Sequence, residues 1–70
     1  MEKFRLRSGD EFIRLGQLLK ASGMAESGVE AKDIIQDGSV TVNGETETRR
    51  GRKLYAGDVA SYGGREIEIE

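Results

Sequence analysis

The chain has 70 residues, with 13 Asp or Glu against 11 Lys or Arg, a net charge of −2, and no histidine, cysteine or proline. That length reads as a single domain, 1–70, which buries only about 60% of its unfolded surface, and the missing Cys and His exclude disulfides, thiolate chemistry and the usual transition-metal ligands. No apolar run approaches the roughly 20 residues that span a bilayer, and Met1–Arg7 lacks the apolar stretch of a secretory signal, so the expectation is a cytoplasmic module without a membrane partner.

Residues 3–7 alternate Lys, Phe, Arg, Leu, Arg, the period of a strand with Phe4 and Leu6 on one face. Ser8-Gly9-Asp10 breaks that strand, and Asp10 with Glu11 predicts the start of a helix over 11–21. Phe12, Leu15, Leu18 and Leu19 form its apolar stripe with Ile13 beside it, while Arg14, Gln17 and Lys20 recur every third residue on another face. Gly16 inside this helix costs about 1 kcal/mol relative to alanine; close approach of another element and a tolerated local defect both account for it. Ser22-Gly23 ends the helix, with Gly23 as the left-handed closing residue. Ser27 followed by Glu30 is a capping-box pattern that opens a second helix over 28–36. Ala31, Ile34 and Ile35 face inward there, Lys32 outward, and Gly38 stops it.

Val40-Thr41-Val42 favours extended backbone, and Asn43-Gly44 supplies the two positive-φ residues of a type I′ hairpin turn. Glu45–Thr48 returns as a short antiparallel strand, and Ala56-Gly57-Asp58 is a turn. Val59–Tyr62 is a strand, Gly63-Gly64 a second two-residue hairpin, and Arg65–Glu70 alternates with Ile67 and Ile69 inward. The first strand is expected to pair with one of these late strands, bringing Lys3, Arg5 and Arg7 near Glu66, Glu68 and Glu70. The layout is β-α-α-β-β-β-β, an α+β fold with two short helices on a small, mostly antiparallel sheet.

Four cations crowd Arg49-Arg50-Gly51-Arg52-Lys53, although the chain as a whole is acidic. Asp58–Glu70 by contrast holds Asp58, Glu66, Glu68 and Glu70 against Arg65 alone, so the charge is divided between faces. Catalysis finds no nucleophile–base pair, and Glu26, Glu30 and Asp33 read as acids favoured at a helix amino end. No glycine-rich loop runs from a strand into a helix, so no enzyme, cofactor or metal is expected. Arginine forks and a mobile lysine suit phosphate oxygens. Tyr55 is the sole aromatic beside the cluster and reads at least as readily as a partly buried anchor as a base-stacking ring. Folded RNA recognised by shape and backbone therefore fits better than a broad aromatic platform.

The ordered runs Arg14-Leu15-Gly16-Gln17-Leu18-Leu19-Lys20, Gly23-Met24-Ala25-Glu26-Ser27-Gly28, Glu30-Ala31-Lys32 and Gly38-Ser39-Val40-Thr41-Val42-Asn43-Gly44 resemble the αL-motif RNA-binding domain first seen in ribosomal small-subunit protein S-four. The continuation Arg49–Val59 resembles small stand-alone bacterial members of the YbcJ and YaaA type, and the motif core covers about residues 12–60. The resemblance implies binding of structured RNA, ribosomal or transfer, through the second helix and the following basic hairpin loop; a monomer is expected. It sets Ser27 at the RNA-facing helix start, Lys32 at the basic helical position, and Arg49, Arg50, Arg52 and Lys53 in the basic loop. Gly28 and Val29 stand where the wider family often has arginine, which moves work onto the loop. The alternative is an adaptor that docks a ribosome-associated or replication protein, motivated by the negative net charge and the few aromatics.

Overall fold

The computed structural model describes all 70 residues, Met1–Glu70. The elements are β1 (Glu2–Phe4), β2 (Ile13–Arg14), α1 (Leu15–Ala21), α2 (Gly28–Gln36), β3 (Thr41–Val42), β4 (Glu45–Thr46), β5 (Lys53–Leu54), β6 (Val59–Tyr62) and β7 (Arg65–Ile69). Five strands form a sheet in the order β1-β7-β6-β3-β4, and β2 pairs with β5 in a separate ribbon. Only β1–β7 is parallel; the other pairings are antiparallel. The α+β class and the mostly antiparallel sheet are as expected, with β2 and β5 added.

Where local chemistry specifies an element, the chain follows it. Asn43 (φ 53°) and Gly44 (φ 84°) make the turn between β3 and β4, which pairs Val42 with Glu45. Gly63 and Gly64 do the same between β6 and β7, setting Tyr62 opposite Arg65. The Ser27 hydroxyl accepts the Glu30 N–H at 3.1 Å, and α2 begins at the next residue.

The first helix departs from expectation. It begins at Leu15 rather than Glu11, because Ile13 and Arg14 pair with Leu54 and Lys53 instead. The amides of a helix's first turn have no intrahelical acceptor. Here the Leu15 and Gly16 N–H groups donate to the carbonyls of Arg52 (2.8 Å) and Arg50 (2.9 Å). The Gln17 side chain closes the start by accepting the Arg14 N–H at 3.2 Å. Asp10 lies in a turn of its own, its N–H donating to the Arg7 carbonyl. Phe12 consequently leaves the helical stripe and is only half-buried.

Thirteen apolar side chains form the buried cluster, with Leu15, Leu18 and Leu19 from α1 and Ala31 and Ile35 from α2 facing Val40, Val42, Leu54, Ala60, Ile67 and Ile69. Truncating a fully buried Leu or Ile of this kind to alanine costs about 2–5 kcal/mol. Exposed ion pairs flank the β1–β7 pairing at the sheet edge. Lys3 pairs with Glu68, as the sequence suggested, and Arg65 grips Glu2 with two donors (2.9 and 2.6 Å) and the Ser22 carbonyl with 3.1 Å. Arg5 and Arg7 make no ion pair. No helix is long and apolar enough to cross a membrane.

Candidate nucleic-acid interface

The basic cluster follows the return strand of the Asn43-Gly44 hairpin, with Arg49, Arg50 and Arg52 in the connection from β4 to β5 and Lys53 opening β5. What shapes it is Glu47, the one charged residue buried in the molecule, at 6% exposure. Its carboxylate accepts from the N–H groups of Thr48 (3.0 Å) and Arg49 (3.0 Å), from Arg49 Nε (3.0 Å) and Nη2 (2.9 Å), and from Arg52 Nη1 (3.0 Å). The Arg49 guanidinium and amide, with help from Arg52, outweigh burial and hold this carboxyl far below the usual glutamate range. The same pairing raises the Arg49 pKa. Glu47 was read from the sequence only as an ordinary strand residue; an acid two residues before an arginine run was the available signal.

The loop so formed is fastened to α1 by the Arg50 and Arg52 carbonyls already described and by Arg14, whose Nη1 donates to the Gly51 carbonyl at 3.0 Å. This approach brings the loop close to Gly16. A Cβ there would meet the Arg50 carbonyl oxygen at 3.4 Å and the Arg50 Cβ at 3.5 Å. Both are ordinary van der Waals distances, so the loop packs close to Gly16 and still leaves room for a methyl group.

Between the loop and the two helices runs a groove of about 230 Å³, into which Arg14, Lys20 and Arg50 converge around Gly16, Gly28 and Gly51. Arg49, Arg52 and Lys53 line an adjoining hollow that shares Gly51. The structure therefore brings Arg50 to the groove and sets the other three loop cations beside it. Ser27 sits at the helix start next to Gly28, its hydroxyl committed to the cap. Lys32 is exposed on α2 but does not line the groove, to which α2 gives Gly28 and Ala31. Arg14 and Lys20 were missed as site residues, although their three-residue spacing on the polar face of α1 was visible.

Next to the loop is a small aromatic cluster. The Phe12 ring lies 4.8 Å from the Lys53 ammonium and 5.6 Å from the Arg14 guanidinium carbon, and 5.8 Å from the Tyr55 ring at a tilt of 53°. A separate hollow near the end of α2, with Asp33, Asp37 and Tyr62 among its residues, carries the opposite sign and repels polyanions.

The S4 domain family model matches residues 4–70. The chain belongs to the S4 domain family. Among relatives of this S4 domain, the "Probable ribosome maturation protein RlbA" of Bacillus subtilis (strain 168) is 48% identical over 54 residues, spanning 77% of this chain and 76% of that protein. YbcJ of Escherichia coli (strain K12) is 40% identical over 57 residues, 81% of each. The solution structure of E. coli YbcJ, described as revealing an αL motif involved in RNA binding, matches with a TM-score of 0.70 and 38% identity over 99% of this chain and 86% of that one. The resemblance carried by the ordered motifs from Arg14 to Gly44 thus holds, as does the narrower likeness to YbcJ.

Proposed function

We propose that this S4 domain is a non-catalytic module that binds structured RNA, ribosomal or transfer, by its backbone and shape. The observation that carries the reading is the convergence of Arg14, Lys20 and Arg50 on one groove floored by glycines. Glycine lets a phosphate backbone come close to the peptide chain, and the three cations supply charge-assisted donors to its oxygens. The adjoining amino end of α2 adds the Gly28 and Val29 amides, which lack intrahelical acceptors, and the positive end of the helix dipole. Glu30 and Asp33 on the same helix weaken that side, so most of the binding falls to the loop and α1.

Arg49 and Arg52 keep guanidinium donors beyond those given to Glu47, and with Lys53 they extend the contact past the groove. The names of RlbA and of the YbcJ structure, ribosome maturation and RNA binding, support the same reading. The domain acts as a cytoplasmic monomer. Fluorescence polarisation with a labelled structured ribosomal RNA fragment tests this. Lys20→Glu combined with Arg50→Glu, both at exposed positions, is expected to weaken binding at least about tenfold. Equal binding by parent and variant would reject the reading in favour of a protein-docking role.

A further inference from the structure

We infer that Tyr55 is a stacking platform for a single unpaired nucleobase whose flanking phosphates enter the basic groove. The inference rests on the RNA-binding reading above and narrows its ligand to folded RNA that offers an unpaired base beside a helix: a bulge, a loop or a junction.

Tyr55 is 46% exposed, one of only three large apolar side chains so open to solvent. Its backbone is nonetheless locked. The Tyr55 N–H donates to the Asp58 carboxylate at 2.8 Å, and its carbonyl accepts the Asp58 N–H at 2.9 Å. Asp58 is in turn held by Asn43 Nδ2 at 3.0 Å, which ties the aromatic to the β3–β4 turn. An exposed ring on a fixed backbone loses little conformational freedom when it is covered by a ligand. The Phe12 ring meets Tyr55 at a tilt rather than face to face, and so supports the tyrosine without covering it.

The position of the ring identifies the ligand. Phe12 touches Tyr55 on one hand and the Lys53 and Arg14 cations on the other, and Arg14 reaches the Gly51 carbonyl at the groove wall. Aromatic surface and phosphate-binding cations are therefore continuous, the combination by which single-stranded nucleotides are held. Another hollow touching Phe12 and Arg14 contains Asp10 and Glu11. Two carboxylates there repel phosphate and steer the strand toward the Gly51 side. Paired RNA presents no free base face, so only unpaired nucleotides can use Tyr55.

The test compares a labelled RNA stem-loop with a fully paired duplex of the same length, and measures parent, Tyr55→Leu, Tyr55→Phe and Tyr55→Trp proteins after thermal melts have established that each is folded. The parent is expected to favour the stem-loop by about tenfold, the effect of stacking one base. Tyr55→Leu should bring stem-loop affinity down to the duplex level and leave duplex affinity unchanged, while Tyr55→Phe keeps the preference. In Tyr55→Trp, the indole emission should be quenched by the stem-loop and not by the duplex. Equal binding of both RNAs by the parent, or Tyr55→Leu indistinguishable from the parent, overturns the stacking role while RNA binding stands. A parent that binds neither RNA overturns both readings.

Discussion

Glu47 shows how one acid can serve a basic surface. Five donors converge on its carboxylate, and three of them come from the guanidinium groups of Arg49 and Arg52, two cations of the cluster it organises. The Arg49 side chain is 72% exposed, so water screens part of that attraction. Replacing Glu47 by Gln is therefore expected to cost about 1–2 kcal/mol near neutral pH, mainly from weakened buried hydrogen bonds. The sign with pH follows from the depressed carboxyl pKa. The unfolded chain takes up a proton at about pH 4.3, before the folded one does, so the contribution of Glu47 is complete above that pH and falls away as pH drops below it. Urea unfolding at pH 7 and pH 3.5 checks this: the parent's advantage over Glu47→Gln should shrink at the lower pH. An advantage that stays constant would contradict the assignment.

The elements divide by the range of the forces that place them. The β3–β4 turn is set by Asn43, the sole non-glycine with positive φ, whose side chain also accepts the Val59 N–H at 2.9 Å and donates to Asp58 at 3.0 Å. Asn43→Ala should cost about 2–3 kcal/mol in chemical denaturation through backbone strain and two lost hydrogen bonds. Asn43→Gly should cost less, since only the hydrogen bonds are lost; equal losses would remove the strain component. This hairpin, the Gly63-Gly64 hairpin and the Ser27 cap of α2 were legible because their determinants lie within a few residues. The start of α1 was not, because its acceptors are the Arg50 and Arg52 carbonyls, far along the chain. The same distance hid the groove. Arg49–Lys53 could be recognised as cations, but that Arg14 and Lys20 face Arg50 depends on how the loop folds back. Lys32, assigned by resemblance, lies off the groove wall because α2 turns Gly28 and Ala31 toward it.

The whole molecule measures 31 × 22 × 18 Å and carries a net charge of −2, so little long-range field draws in a polyanion. Several acids are already neutralised, Glu2 by Arg65, Glu68 by Lys3 and Glu47 by the loop arginines. Attraction is therefore local to the groove and its adjoining hollow, and binding should depend strongly on salt. The most direct measurement is the slope of log affinity against log salt for a structured ribosomal RNA fragment. With about four phosphate contacts the parent slope is expected near −3, and Lys20→Ala with Arg50→Ala should flatten it to about −1.5. A parent slope near zero, or one that the double substitution leaves unchanged, would contradict the groove as the site of RNA binding.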